Sequence, residues 1–340
     1  MLSRTADHLY WMARYMERAE NTARMLDVNY QTALLPQSVE AAEQGWRGLL
    51  SICELTQSYH QRHGEIDAAK VMAFMVSDDT NSSSIASCLR AARENARAVR
   101  GALTTEVWET QNQTWLEFKR MLSQHEFKRD PAAFFEWVKF RSPLSRGVTV
   151  GTMLQDEALN FLRIGTFLER ADNTARLLDV KFHARPGNND LFGMGPRIRE
   201  QEQEVDFYYW SAILRSVSCF EIYRKAYRNV IRPDKVTELL ILRPDMPRSL
   251  AACMNGVVNN LAHVANQQSG ETLRRAGRLR ADLQYGHIEE ILDGGLHAYL
   301  TQFLSRVNDL GYAISRDFLV PMAAYPAANA SWGYQVSSSS

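Results

Sequence analysis

One stretch of fourteen residues occurs twice in this chain, and no other feature limits the possible folds as strongly. Residues 15–28 read Tyr-Met-Glu-Arg-Ala-Glu-Asn-Thr-Ala-Arg-Met-Leu-Asp-Val, and residues 167–180 read Phe-Leu-Glu-Arg-Ala-Asp-Asn-Thr-Ala-Arg-Leu-Leu-Asp-Val. The four differences keep size or charge. An internal repeat of this kind indicates a duplicated structural unit. We therefore predict two halves, 1–150 and 151–322, related by a pseudo-twofold axis in one compact domain, followed by a disordered tail over 323–340.

Both copies have the pattern of an amphipathic helix. Apolar residues return every three to four positions, and the only glycine or proline in or beside them is Gly165. A polar face runs along the same helix through Arg14, Glu17, Asn21 and Arg24, each three or four residues from the next. Arg18 lies about 100° round the helix from Glu17, so we expect it to point elsewhere.

Three interpretations of the polar face remain open. It could be a solvated surface, a buried network that fixes the register of two packed helices, or a site for a ligand or partner. Charges on a solvated surface can drift between copies, and these do not, which favours a structural or functional constraint. Arginine forks together with asparagine amides suit a carboxylate or phosphate ligand, but the same residues also suffice for pairing between helices.

Length and charge restrict the function classes. The 340 residues can bury a large core, and 39 basic residues balance 39 acidic ones. We therefore expect no nucleic-acid partner and no attraction to an anionic membrane. No apolar run of about 18 residues is present, and no apolar leader follows Met1, so the expectation is a soluble cytoplasmic protein. Four separated cysteines are expected to be buried thiols rather than disulfides or zinc ligands.

No motif for nucleotide or metal chemistry is present. The sequence has no glycine-rich phosphate loop, no nucleophile elbow and no His-Glu-x-x-His. It also lacks the Glu-x-x-His pairs of a di-metal helix bundle. We expect no metal and no cofactor bound by this chain.

The rest of the chain also reads as helix, and runs of alternating β-branched residues are absent. This predicts an all-α helical bundle. We expect Ser3 to cap a helix over 4–34, one helix over 38–62, and Ser82 or Ser83 to cap a helix over 85–101. Thr104 and Asp130 should begin two more helices, with a break at Pro143 and the junction of the halves at 147–151. In the second half we expect a long helix from about 197 to Tyr223.

The repeat extends beyond the first helix but becomes asymmetric. Ser84 answers Ser249 and Asn95 answers Asn260, each 165 residues later. The basic residues Arg93, Arg97 and Arg100 have no basic counterpart. If both halves line one site, that site must be asymmetric.

The two Glu-Arg segments, together with residues 81–84 (Asn-Ser-Ser-Ser) ahead of residues 92–97 (Ala-Arg-Glu-Asn-Ala-Arg), make the chain resemble the bacterial alpha-E domain family from Met1 to about Pro321. That family is an all-helical domain with a Glu-Arg motif. Ser82 departs from the Asn-Pro-x-Ser form of the turn. The resemblance implies association with circularly permuted ATP-grasp proteins, which would carry ATP and magnesium, and with a transglutaminase-like peptidase.

The first hypothesis is a non-catalytic partner, or substrate-presenting subunit, of an ATP-grasp amide ligase. The alternative is an enzyme of the same peptide-synthesis or peptide-trimming pathway, with Glu17 or Glu169 as acid or base and Arg24 or Arg176 as an anion clamp. The candidate ligand- or partner-binding residues are Glu17, Arg18, Asn21, Arg24, Asp27, Glu169, Arg170, Asn173, Arg176, Asp179, Asn95 and Arg97.

Overall fold

The computed structural model describes residues 1–36, 38–183, 207–228 and 230–319, and these residues form helices and connecting turns without a strand. The all-α prediction is confirmed. The first helices are α1 (Ser3–Ala33), α2 (Val39–Ile52), α3 (Thr56–His63), α4 (Ala68–Val76), α5 (Ile85–Ala98), α6 (Thr105–Ser123), α7 (Glu126–Arg129) and α8 (Pro131–Thr152). The following helices are α9 (Glu157–His183), α10 (helical over 207–216), α11 (Phe220–Tyr227), α12 (Pro233–Ile241), α13 (Leu250–His263), α14 (Gly270–Tyr285), α15 (Ile288–Asp293) and α16 (Leu296–Phe318).

The two Glu-Arg segments lie on α1 and α9, which pack against each other at the centre of the bundle. Small side chains allow this contact, because Ala19, Ala23 and Ala171 are all buried there. The helices come closest at Gly165, where a Cβ atom would lie 2.4 Å from the carbonyl oxygen of Tyr10. Real Cβ atoms do not approach a carbonyl that closely, so glycine at this position sets the spacing of the central pair.

The remaining long helices surround this pair. Helices α5 and α8 pack on α1, and α13 and α16 pack on α9. Hydrophobic side chains from all of these helices form one continuous buried cluster. The expected division into two halves and their pseudo-twofold relation stay predictions, and the expected tail over 323–340 lies outside the described residues.

Several expected helix boundaries were wrong. Ser3 is the first residue of α1 and makes no cap hydrogen bond. Ser84, rather than Ser82 or Ser83, caps α5 by accepting a hydrogen bond from the backbone N–H of Ser87. The caps expected at Thr104 and Asp130 are present. The error at α5 comes from the run of serines at 82–84, where composition does not tell which hydroxyl meets the orphan N–H groups.

Two expected long helices are instead broken. The helix expected over 38–62 ends at Ile52, because Glu54 adopts a left-handed conformation with φ of 56° before α3 begins. The helix expected from about 197 to Tyr223 is broken in the same way at Ser218, with φ of 54°; its first part, to 206, lies outside the described residues. A non-glycine residue at positive φ leaves little signal in sequence.

The opposite error occurred at Pro143. Helix α8 runs through this proline without interruption to Thr152, so the expected break is absent and the junction placed at 147–151 lies inside a helix. The break between α8 and α9 falls at 153–156. A proline inside a helix is tolerated where the lost hydrogen bond and the crowding are absorbed locally, and α8 continues past Pro143 without a break.

No helix among the described residues is long and apolar enough to cross a membrane. The four cysteines are free thiols, three of them buried and Cys53 half-buried. Burial raises the pKa of Cys88 to about 12. The expectation of buried, unpaired thiols agrees with this arrangement.

Candidate functional site

The glutamate and arginine of each repeat pair with the arginine and glutamate of the other. Arg170 on α9 donates from Nε to Glu17 Oε1 at 2.7 Å and from Nη2 to Glu17 Oε2 at 3.2 Å. Arg18 on α1 donates from Nε to Glu169 Oε1 at 2.6 Å and from Nη2 to Glu169 Oε2 at 3.1 Å. The two forks are reciprocal, and each is a bidentate charge-assisted contact.

This pairing corrects the expectation that Arg18 points away from the polar face. Arg18 does lie about 100° round the helix from Glu17, but the long arginine side chain crosses the gap between α1 and α9 and reaches Glu169. Both residues of the Glu-Arg dipeptide therefore face the same neighbouring helix. Glu17 is 1% exposed and Glu169 is 5% exposed, so the interpretation as a solvated surface is wrong.

Further arginines donate hydrogen bonds to Glu17 and Glu169, and these arginines differ between the two carboxylates. Glu17 also accepts hydrogen bonds from Arg248, which precedes α13, at 3.0 Å and from Arg146 on α8 at 2.7 Å. Glu169 instead accepts from Arg14, whose Nε lies 2.7 Å from Oε2. Glu17 thus has three guanidinium partners and Glu169 has two.

Glu20 joins the network on the Glu17 side and is completely buried. Arg24 donates to its Oε1 from Nε at 2.9 Å, Arg248 donates to Oε1 at 2.5 Å, and Arg146 donates to Oε2 at 3.0 Å. Burial alone would raise the pKa of Glu20, but these three guanidinium charges outweigh it and lower the pKa to about 2.

Glu169 shows the same balance. Burial raises the pKa of Glu169, but the charges and hydrogen bonds of Arg18 and Arg14 lower it by more, so that the net pKa is about 2. The carboxylate is therefore ionised at neutral pH and holds no proton to give. Such a group is a fixed negative charge within a network rather than a general acid.

Arg24 and Arg176 do not meet in one anion clamp. Arg176 donates from Nε to Asp172 Oδ2 at 2.8 Å on its own helix, just as Arg24 donates to Glu20. Nη1 of Arg176 donates to Glu54, and Nη1 of Arg24 donates to Ser218. Glu54 and Ser218 are the two positive-φ residues at which the expected long helices are broken. Each arginine thus fastens its long helix to the turn after α2 or α10.

The remaining candidate residues lie outside this network. Lys139 on α8 donates to Asp27 at 2.6 Å, and His297 on α16 lies 2.6 Å from Asp179. Asn95 lies 2.7 Å from a ring nitrogen of His8. Arg97, whose side chain is 65% exposed, pairs with Glu94 at the surface. The structure does not bring these residues to the Glu-Arg centre.

A cleft of about 100 Å³ opens beside the Glu169 half of the network. Its polar lining combines both signs of charge with two asparagines, and the walls are apolar residues of α1 and the turn after α2. The cleft is lined by Arg18, Asn21, Thr22, Met25, Ile52, Cys53, Glu54, Leu55, Ser83, Glu169, Asp172, Asn173 and Arg176. Five of the predicted candidate residues are among them, whereas Arg24 is not.

Sequence reasoning placed Arg14 on the polar face but not among the candidates, and it selected none of four further charged members of the centre: Glu20, Asp172, Arg146 and Arg248. Glu20 carried a signal, because its counterpart Asp172 keeps the charge. Arg248 also carried a signal. The offset that aligns Ser84 with Ser249 aligns Ser83 with Arg248, so a neutral residue in one half corresponds to an arginine in the other. Arg146 lies on a helix outside the detected repeat and gave no signal.

The Glu-Arg centre is a network of ion pairs, and its described residues form no metal-binding cluster. No group of three or more histidine, cysteine, aspartate or glutamate side chains suited to a metal occurs in the part of the chain that the structure describes. Every carboxylate at the centre, Glu17, Glu20, Glu169 and Asp172, is bonded by at least one guanidinium. A buried network of this kind orients helices and can pre-organise a cleft beside them.

Comparison with known proteins agrees with these features. A family model named Alpha-E, described as "a predicted alpha-helical domain with a conserved ER motif", matches residues 1–319. No curated protein and no solved structure matches the chain. The match spans almost all of the described helices and includes both Glu-Arg dipeptides, and the chain belongs to the Alpha-E family.

Proposed function

We propose that this protein is a non-catalytic helical subunit of an ATP-grasp amide (peptide) ligase system, in which the Glu-Arg centre is a scaffold that supports a substrate-presenting cleft. The observation that carries the non-catalytic part is the state of the two glutamates. Both are buried and bonded by at least two arginines each, and the pKa of Glu169 is about 2.

The alternative enzyme has less support. Glu17 or Glu169 acting as acid or base would need access to substrate and a pKa near the working pH. An anion clamp would need Arg24 and Arg176 close together with donors to spare, and each is instead committed to an acidic residue on its own helix. The arrangement therefore favours a structural role for the motif over direct catalysis.

The ATP-grasp partner and the possible transglutaminase-like peptidase come from the family resemblance. ATP and magnesium would then be held by the partner. An exposed apolar patch, formed by Phe140 and Leu144 one turn apart on α8, gives a partner a surface to contact. These side chains are 57% and 44% exposed. Exposed apolar groups of this kind are typical of interaction surfaces.

The test is co-purification of this protein with a circularly permuted ATP-grasp protein from the same organism, followed by an assay of amide formation with both present. A Phe140→Ser/Leu144→Ser variant is expected to keep its fold and lose the partner. The matched control is Val150→Ser, because Val150 is equally exposed, at 58%, on the same helix.

Either of two results would sink the proposal. One is no complex and no effect of this protein on the ligase. The other is amide formation, or peptide cleavage, by this protein alone. A wild-type complex that survives the patch variant would move the contact to another surface but would still contradict the assignment of this patch.

A further inference from the structure

The cleft beside Glu169 lies where one arginine is missing from an otherwise repeated arrangement. Ser84 and Ser249 cap α5 and α13 in the same way, each accepting a hydrogen bond from the backbone N–H three residues later. The residue before each cap is Ser83 in one case and Arg248 in the other. Ser83 lines the cleft, so the cleft occupies the space beside a residue that answers an arginine.

The contacts of Arg248 show what that space is built to receive. Its Nη1 donates to Glu17 Oε1 at 3.0 Å and to Asn21 Oδ1 at 2.9 Å, and its Nη2 donates to Glu20 Oε1 at 2.5 Å. In the repeat these three acceptors correspond to Glu169, Asn173 and Asp172. All three line the cleft.

The charges on the two sides differ accordingly. Around Glu17 and Glu20, four guanidinium groups meet two carboxylates. Around Glu169, the three carboxylates of Glu169, Asp172 and Glu54 meet three guanidinium groups, those of Arg14, Arg18 and Arg176. The cleft side is thus the less positive of the two, which favours a cationic ligand.

Two asparagine side chains support a ligand in this space. Asn21 is 3% exposed and lines the cleft, and its Nδ2 has no hydrogen-bond partner. The side chain of Asn173 is half-buried and makes no hydrogen bond with another described residue. A buried amide N–H left without a partner is costly, so an oxygen atom of a bound molecule would stabilise it. The cleft volume of about 100 Å³ is several times what one water needs.

We propose that this cleft binds a guanidinium group supplied by another molecule, held by Asp172, Asn173 and Glu169 as Arg248 is held by Glu20, Asn21 and Glu17. An oxygen acceptor on the same molecule meets the Nδ2 of Asn21. An arginine fits this description, either as the free amino acid or as a residue within a peptide. The site does not depend on the proposed ligase partner, because the purified protein alone contains it.

The test measures the binding of arginine probes to the purified full-length protein, with ligand-observed NMR as the readout. The probes are L-arginine for the free amino acid and Nα-acetyl-L-argininamide for a residue within a chain, and whichever binds more tightly identifies the source. Nα-acetyl-L-lysinamide is expected to bind more weakly than its arginine counterpart, because an ammonium group cannot bridge several acceptors as a planar guanidinium does.

The decisive variant is Ser83→Arg, which supplies the missing arginine from the chain itself. We expect this variant to be folded and to bind the arginine probes at least about tenfold more weakly. A tenfold loss corresponds to the free energy of one charge-assisted hydrogen bond. Thr80→Arg is the matched control, since it adds the same charge at an exposed position outside the cleft. It should bind as the wild type does.

A second variant, Asn173→Ala, keeps the test sharp if Ser83→Arg does not fold. It removes one acceptor without adding bulk and should also weaken binding. The proposal is overturned if neither arginine probe binds the wild type saturably below about 10 mM, or if folded Ser83→Arg and Asn173→Ala bind as tightly as the wild type.

Discussion

Removing Arg18 should destabilise the protein more than removing Arg170, although the two arginines make almost the same contacts. Each donates a fork to a buried glutamate, with Nε at 2.6 or 2.7 Å and Nη2 at 3.1 or 3.2 Å. Their surroundings differ. Without Arg170, Glu17 keeps Arg248 on Oε1 and Arg146 on Oε2. Methionine in place of either arginine preserves the apolar length of the side chain and removes only its charge and donors.

The loss of Arg18 is harder to absorb. Arg14 donates only to Oε2 of Glu169, so Oε1 is left without a donor among the described residues. A buried carboxylate that loses a partner costs about 3–5 kcal/mol of unfolding free energy. For Arg170→Met, where no carboxylate oxygen is orphaned, two lost charge-assisted hydrogen bonds against retained neighbours suggest about 1–3 kcal/mol.

Urea unfolding at pH 7, followed by circular dichroism, measures both values. The surface control is Arg97→Met, which should cost less than about 1 kcal/mol because its ion pair is exposed. Adding Glu169→Gln to Arg18→Met should recover part of the loss, since the unpaired buried charge is then removed. If Arg170→Met proved as costly as Arg18→Met, the explanation by orphaned oxygens would be refuted.

Three further predictions concern acid, packing and thiols. The pKa of Glu20 and of Glu169 is about 2 in the folded protein, whereas an ordinary glutamate carboxyl has a pKa of 4.5. The two ionised carboxylates therefore add to the free energy of unfolding above pH 4.5, about 3 kcal/mol in the case of Glu169, and this contribution is lost as the pH falls towards 2. Unfolding measured as a function of pH will show this loss. Gly165→Ala should cost about 1–3 kcal/mol by overpacking, whereas Gly147→Ala, with nothing within 4 Å of its Cβ, should stabilise α8 by about 0.5–1 kcal/mol; a similar thermal shift for both would contradict the close approach. Cys88, fully buried with a pKa of about 12, should react with a thiol reagent at pH 8 only after urea unfolds the chain. Prompt labelling of Cys88 itself in the native protein would disprove it, and peptide mapping separates it from Cys53, which is half-buried and lines the cleft.

The helices and the polar face of the repeat could be predicted because both follow from spacing along one helix. Three- and four-residue intervals place Glu17, Asn21 and Arg24 together whatever the rest of the chain does. The breaks at Glu54 and Ser218 could not be predicted in the same way. They depend on left-handed backbone conformations that Arg176 and Arg24 hold from another helix, and local propensity contains no trace of such contacts.

Partners across the bundle were beyond helical spacing for a related reason. Periodicity gives the direction of a Cβ atom, but an arginine side chain is long enough to reach a neighbour well to one side of it. Arg18 was therefore expected to point away and instead bonds Glu169. Arg248 lies before α13, and only the comparison of Ser83 with Arg248 across the repeat could have drawn attention to it.

The reciprocal pairing explains why a chain would bury charges that apolar side chains could replace at little cost in stability. Two helices with nearly the same sequence can pack in several registers if their contact is only apolar, because a slip of one turn brings alanine and leucine onto alanine and leucine again. With Glu17 on Arg170 and Arg18 on Glu169, the same slip would break both bidentate contacts at once. Gly165 against the carbonyl of Tyr10 and Arg248 against Glu20 then distinguish α1 from α9. The network thus specifies one register and two unlike sides, and the cleft lined by Asp172 and Asn173 lies on the side that lacks an arginine.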